Sequence, residues 1–375
     1  MPGGEFQEKV NTNNISLKSP FHEIEHYFEK SEIVFVNFEC PIVKGSEIRK
    51  DKSSILGCSP QRISILKELH VNVACLANNH IHDYGQEGVR HTIEVFKNNN
   101  VYPLGVFSLS DNIKNYVTIE RNSRKIGFIA FTSNEPWVRS ILADSENYGC
   151  LFYSKKNIRD GIGALKNDCD LVIVSLHWGF ERHEYPSPYQ REMAYYCLDQ
   201  GADIVIGHHP HLVHGYEVYK GKHIFYSLGN FFVSDFKYKD GNWHRYKIQN
   251  RYALLVEVDF KDRSHYFINL IPTYQQDDYQ IRELINKENE MFFLHLNSIS
   301  AKFNISKKKY KIFWLKYHFL IVGKAFTKSI RSIVRSRNWK LEDRLKGTIK
   351  LTFQLLIELI RRLLYIEPEK KRNYE

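Results

Sequence analysis

The segment VIGHHPHLVHG, residues 205 to 215, places His208, His209, His211 and His214 within seven positions, directly after an apolar run. Each imidazole needs partners on both ring nitrogens, so a core has little use for four of them together, and a cluster of metal ligands is the competing reading. Other groups of the same chemistry recur after other apolar runs. IVFVNFE delivers Asn37 and Glu39, VNVACLANNHIHD delivers Asn79, His80 and Asp83, and DLVIVSLHWG delivers His177. YSLGNFF brings Asn230. Imidazole, carboxylate and amide oxygen without a thiolate suit Mn²⁺, Fe²⁺ or Zn²⁺ better than Ca²⁺ or an iron–sulfur cluster. One or two such ions would polarise a phosphoryl or similar oxyanion and generate a hydroxide nucleophile. Glu39, Asn79, His80, His177, His209 and His211 are the candidate ligands, with His80 and His177 also the candidate catalytic residues. Asn37, Asp83, His208 and Asn230 are candidates for supporting or substrate contacts, and His82 for a supporting donor. His214 reads as a surface or core histidine of the following strand.

These residues need elements that bring them together. From Glu32 to about Tyr274, short apolar runs alternate with helical patterns in βαβα order: EIVFVNFE, SPQRISILKELH, VNVACLA, GQEGVRHTIEVFKNNN, then KIGFIAFT, SKKNIRDGIGALKND, DLVIVSLHWG, SPYQREMAYYCLDQG and ADIVIGHH. HGYEVYKGKHIFYSLGN and RYALLVEVDFKDRSHYFINLIPTY then read as hairpins, turning at Lys220-Gly221 and Lys261-Asp262-Arg263. Parallel strands followed by antiparallel ones imply two sheets packed face to face with helices outside, an α/β sandwich. In such sheets functional groups gather where the carboxyl ends of the strands converge, and that is where the candidates fall.

Several neighbours have structural readings beside functional ones. HEYPSPYQ is either a substrate loop or the start of a helix. Glu181 and Glu184 read as solvated loop carboxylates, Asp83 and Gly85 as turn formers, and the aromatics of YSLGNFFVSDF as core.

Composition bounds the rest. The 375 residues, 43% of them hydrophobic, suffice for one large domain with an appendage. The six cysteines form no Cys-x-x-Cys pair, which suits reduced core thiols. No apolar leader and no stretch of roughly 18 apolar residues is visible, so the expectation is a cytoplasmic or peripherally membrane-associated protein. The net charge of +10 is local: residues 301–375 hold 20 Lys+Arg against 6 Asp+Glu, whereas residues 1–300 hold 33 against 37. We therefore divide the chain into a domain over 1–279 and a basic, mostly helical appendage over 280–375. From Ile312 to Ile366 apolar residues recur at helical spacing, as in Leu351, Leu355, Leu359 and Leu363, with Lys350, Arg361 and Arg362 toward the flanks. That pattern fits an anionic bilayer surface or packing on the body. It lacks the stacking platforms of nucleic-acid binders, and no nucleic-acid partner is expected.

NFECP, LANNHIHDYGQEGVRHTIE, LHWGFERHEYPSPYQREMA and QGADIVIGHHPHLVHGYEVYKGKHIFYSLGNFF together resemble the CapA family of poly-γ-glutamate capsule synthesis proteins, within the calcineurin-like metallophosphoesterase superfamily. The resemblance covers about residues 21–275. It implies a four-layer αββα sandwich with a two-metal site at the strand ends. It places Glu39 as bridging carboxylate, Asn79 and His80 as the Asn-His motif, His177 as the single-His motif, and His209 with His211 as the final His-x-His, stiffened by Pro210. It also implies partners among the intermediates or synthesis machinery of a capsule or surface polymer. In one respect the chain departs from the family, which opens with an apolar strand ending in Gly-Asp. No Asp precedes Asp51 here, so that motif is expected to be missing or to lie before Met1. Two functions follow: a metal-dependent hydrolase of the phosphoesterase type, or a non-catalytic assembly component that keeps a degenerate metal site.

Overall fold

The computed structural model describes residues 3–12, 14–44, 48–110, 115–133, 138–262 and 265–335. The chain opens with α1 (Gly4–Asn11) and α2 (Glu25–Glu29), followed by β1 (Val34–Asn37), α3 (Ser64–Glu68), β2 (Val71–Cys75), α4 (Gly85–Asn98), β3 (Tyr102–Leu104) and β4 (Val106–Phe107). The middle holds β5 (Tyr116–Arg121), β6 (Arg124–Thr132), β7 (Gly149–Cys150), α5 (Lys155–Gly163), β8 (Leu171–His177), α6 (Pro188–Gln200), β9 (Ile204–His208), β10 (Tyr216–Tyr219) and β11 (Lys222–Phe225). Beyond lie β12 (Phe236–Lys237), β13 (Trp243–His244), β14 (Tyr252–Asp262), β15 (His265–Gln275), β16 (Ile281–Glu283), α7 (Asn286–Ser300) and α8 (Lys307–Arg335).

Two sheets carry the fold. A parallel sheet has the order β1-β2-β3, and a mixed one the order β10-β11-β9-β8-β6-β5. Alternation along each strand divides its side chains between two faces. On β6, Phe128 and Ala130 face the smaller sheet in one core with Val73 and Cys75, while Ile129 and Phe131 join a second core with Ile158 and Ile162 of α5 and Met193, Ala194 and Cys197 of α6. Phe35 of β1 stacks on Phe128 at 5.5 Å between ring centroids, which joins the sheets. Val89, Ile93 and Phe96 of α4 complete the first core from outside. The result is the expected αββα order of layers.

Local chemistry explains the joints. Lys220 and Gly221 both take positive φ, 53° and 78°, as a two-residue turn between β10 and β11 requires. The PSP segment starts a helix: Ser187 Oγ accepts from Gln190 N at 3.1 Å, Gln190 Oε1 accepts from Ser187 N at 2.9 Å, and Pro188 opens α6. The turn at 261–263 falls partly outside the described residues.

The first and last described segments both add to the body, the first without announcement in the apolar pattern and the last by one of the two readings given for it. Phe6, Phe21, Ile24 and Phe28 are buried, Phe6 against Phe232 and Tyr279 and Phe28 against Phe231. At the other end Leu296, Ile299, Phe303, Tyr310 and Trp314 are buried too: Leu296 of α7 joins the first core, and Phe303 with Tyr310 and Trp314 of α8 closes the second core over α6. Arg191 of α6 pairs with Glu217 at 2.7 Å and stacks on Tyr310, tying the two together. The Leu351, Leu355, Leu359 and Leu363 pattern, with Lys350, Arg361 and Arg362, lies outside the described residues. No helix among the described residues is long and apolar enough to cross a membrane.

Candidate metal centre

The carboxyl ends of the parallel strands meet at one place. His177, the last residue of β8, lies opposite His208, the last of β9, and Trp178 N donates to His208 O at 3.1 Å. Across the gap between the sheets, His177 Nε2 lies 2.9 Å from Asn79 Oδ1, a contact between residues 98 positions apart. Asn78 clamps the smaller sheet's own loops, donating from Nδ2 to Phe38 O and accepting from His80 N, both at 3.0 Å. That clamp sets Glu39 beside the Asn79-His80 turn.

Glu39, His209 and His211 each offer one ligand atom, and those three atoms lie within 4.8 Å of one another. Glu39 Oε1 is 3.6 Å from His177 Nε2 and 3.8 Å from His211 Nε2. The rings of His177 and His209 sit 4.9 Å apart. His209 and His211 hold φ of 98° and 58°, a conformation uncommon outside glycine, on either side of Pro210. The turn therefore holds strain while aiming both rings at Glu39. His211 Nδ1 contacts Asn230 Oδ1 at 2.9 Å, and Asn230 Nδ2 donates to Asn250 O at 2.8 Å, so the orientation of His211 is fixed from behind.

The polar bookkeeping points to a ligand. Glu39 Oε1, His177 Nδ1, both ring nitrogens of His209 and Asn37 Oδ1 are buried without a hydrogen-bond partner. Orphaned buried donors and acceptors are costly, and Glu39 Oε1 with one ring nitrogen of His209 is accounted for if both turn toward a cation. The set fits a divalent ion: one carboxylate, neutral imidazoles, an amide oxygen close by and no thiolate. Burial holds His208 and His209 neutral, lowering each to about 4, and together with the neighbouring histidines it pushes His177 well below the ordinary value. Neutral imidazole is the coordinating form.

Other candidates point elsewhere. His80 turns Nδ1 to Asp83 Oδ2 at 2.6 Å. Asp83 is fully buried and does far more than shape a turn, since it also accepts from Lys52 Nζ and from Leu56 N, each at 2.8 Å. Burial pushes the Asp83 carboxyl up, but the His80 hydrogen bond and the Lys52 charge outweigh it and hold the carboxyl low. His82 reaches Tyr148 O, and His214 is a buried histidine reaching His183 O. His208 stacks on Phe35 between the sheets. Asn37 Nδ2 lies 3.4 Å from Glu39 Oε2. Glu181 stays exposed on the loop after β8. Lys52 and Asn250 were not among the candidates; nothing in DKSS or IQNR distinguishes them from solvated loop residues.

Residues 1–235 match the family described as "Bacterial capsule synthesis protein PGA_cap". The chain belongs to that family. It is 33% identical over 264 residues to the capsule biosynthesis protein CapA of Bacillus anthracis, covering 68% of this chain and 61% of the relative. To the PGA biosynthesis protein CapA of Bacillus subtilis it is 35% identical over 260 residues, covering 69% and 65%. The chain thus spans less than two thirds of the length of either relative. Among solved structures it is similar to a Mycoplasma pneumoniae phosphatase, with 14% identity, TM-score 0.43, and coverage of 75% of this chain and 92% of that one. It is also similar to the calcineurin-like phosphoesterase YfkN of Bacillus subtilis, with 16% identity, TM-score 0.34, and coverage of 64% and 74%. Within this family the cluster of Glu39, His209 and His211 is the feature around which function is to be sought.

Proposed function

We propose that this member of the capsule synthesis family is a metal-dependent hydrolase that cleaves a phosphoester, or a comparable oxyanion, in the synthesis of a surface polymer of the poly-γ-glutamate type. The observation that carries the reading is the cluster of Glu39, His209 and His211, in which Glu39 Oε1 and the ring nitrogens of His209 are buried without a hydrogen-bond partner. Glu39, His209 and His211 would hold one divalent ion, Mn²⁺, Fe²⁺ or Zn²⁺, with Asn79 and His177 completing the set. Such an ion, when bound, polarises the substrate's oxyanion and lowers the pKa of a water. His80, held through Nδ1 by Asp83, presents Nε2 to the leaving oxygen and donates the proton it needs. His177 orients Asn79 and, kept neutral by burial, leaves the anionic substrate to be matched by the ion.

The decisive experiment measures metal per chain by mass spectrometry for the wild type, His209→Ala and Glu39→Gln, alongside Mn²⁺-dependent hydrolysis of bis(p-nitrophenyl) phosphate. We expect about one ion in the wild type, loss of it in both variants, and activity that follows occupancy. A wild type that takes up no metal from Mn²⁺, Fe²⁺ or Zn²⁺ would sink the reading in favour of a non-catalytic assembly component.

For partners we assign the polymer's intermediates and synthesis machinery, met at an anionic membrane surface. Between Lys307 and Arg335, α8 holds nine Lys or Arg and no Asp or Glu. Its side away from the body exposes Ile312, Phe319 and Leu320 beside Lys308 and Lys316. Because Phe303, Tyr310 and Trp314 are core, cutting the chain at 301 would damage the body. Lys308→Glu with Lys316→Glu is the cleaner test, and flotation with phosphatidylglycerol vesicles should shift from bound to free. Equal flotation of the variant, or none by the wild type, overturns the membrane assignment.

A further inference from the structure

Lys52 is anomalous. It follows two charged residues in a loop, yet its side chain is buried, with Nζ 2.8 Å from Asn79 O, 2.8 Å from Asp83 Oδ1 and 3.0 Å from His80 Nδ1. An ammonium taken out of water is tolerated where a counter-charge and acceptors meet it, and here Asp83 Oδ1 and Asn79 O accept from it, both in the Asn79-to-Asp83 turn. We infer that Lys52 is a positioning residue for the hydrolytic site: it fixes Asp83 so that His80 keeps one proton on Nδ1 and takes up and gives its second proton at Nε2, and it pins the Asn79 main chain so that the amide faces His177. The inference rests on the function proposed above for its catalytic consequence, but the tautomer it requires does not.

The proton assignment follows from distances. Asp83 accepts from Leu56 N on Oδ2 and from Lys52 on Oδ1, the surroundings of a carboxylate. Oδ2 lies 2.6 Å from His80 Nδ1, too close for an anion to face a nitrogen lone pair, so a proton sits between them on Nδ1. Lys52 therefore directs its protons to Asp83 and Asn79 and stands beside Nδ1–H without donating to it. Neutral His80 then has its lone pair on Nε2, so Nε2 is where it takes up the proton that it gives, as imidazolium, to the leaving oxygen. Without Lys52, nothing holds Oδ1, the Asp83 carboxylate is free to rotate about its last bond, and the Asn79 carbonyl loses its donor.

The test uses the full chain, ¹⁵N-labelled and stripped of metal with EDTA at pH 8, with long-range ¹H–¹⁵N correlation of the histidine rings and His80→Gln to assign the resonance. The wild type should show His80 protonated on Nδ1, and Lys52→Met should show a mixture of both tautomers. With saturating Mn²⁺ and bis(p-nitrophenyl) phosphate, Lys52→Met should lower kcat about 10²-fold, the scale of a lost general acid, while KM stays within about twofold. A wild-type His80 protonated on Nε2 overturns the inference even if Lys52→Met fails to fold, and so does an unchanged tautomer in a folded Lys52→Met. A wild type without hydrolysis would refute the proposed reaction, and the tautomer would still decide for or against Lys52.

Discussion

Replacing Glu39 by glutamine should change stability with opposite sign depending on whether metal is present. Without metal, Glu39 Oε1 is a buried carboxylate oxygen with no hydrogen-bond donor, 3.6 Å from Nε2 of His177, which burial keeps neutral, and 3.8 Å from Nε2 of His211. An unsatisfied buried acceptor costs about 1–3 kcal/mol. The Glu39 side chain keeps 15% of its surface exposed, which argues for the low end, about 1 kcal/mol. Glutamine removes the charge and keeps the shape, so in EDTA the variant should be more stable by about 1 kcal/mol. With metal at a hundred times its dissociation constant, binding stabilises the wild type by about 2.7 kcal/mol. Losing most of that on removal of the sole carboxylate among the three clustered ligands leaves the variant about 1.7 kcal/mol less stable than the wild type. Taking a urea m-value of about 3 kcal/mol/M, the midpoint should rise by roughly 0.3 M in EDTA and fall by roughly 0.6 M in Mn²⁺. Tryptophan fluorescence during urea unfolding reads both. A shift of the same sign in the two buffers would refute the argument that Glu39 is held in place for a cation.

Trp314→Ala removes a fully buried indole that stacks on His318 and donates to Tyr185 O, and should cost about 3–5 kcal/mol in urea unfolding; an unchanged midpoint would show that α8 is no part of the body. Gly207→Ala puts a Cβ 2.1 Å from the Tyr226 carbonyl oxygen, which no rotamer change relieves, so a loss of about 3 kcal/mol and lower metal uptake are expected; wild-type values for both would contradict the close approach at the end of β9. Acid should destabilise the metal-free protein through His82 and His214, which burial lowers to about 4 and about 3. Their folded-state values lie below the unfolded 6.5, so the stability they contribute is present above pH 6.5 and is lost progressively as pH falls through about 4 toward 3. Urea midpoints flat from pH 7 to 4 in EDTA would refute this.

Sequence alone determined the order of layers and the edge at which chemistry gathers, because both depend on local signals. The apolar runs ending at Asn37, Cys75, His177 and His208 have strand length, and the intervening helices show the 3.6-residue period, so parallel connections and converging carboxyl ends follow. Histidines after such runs are conspicuous because imidazole is costly to bury. The partners of those histidines were a different matter. Only the fold brings Lys52 onto Asp83, 31 positions away, or Asn79 onto His177, 98 away, since a charged loop residue carries the same local pattern whether it ends in solvent or in the core. The packing of α1 likewise escaped the apolar pattern, and for α8 that pattern left packing on the body and a bilayer surface open. Phe6 sits among charged and polar neighbours, and Trp314 between Lys311 and Lys316, and their burial depends on surfaces supplied by Phe232 and Tyr279 in one case and by Phe180 and α6 in the other. Orientation, too, was decided by tertiary structure. Strand-end spacing brings His80 and His209 to the same edge, but the hydrogen bond to Asp83 turns one ring to a carboxylate, and the positive φ at 209 points the other at Glu39.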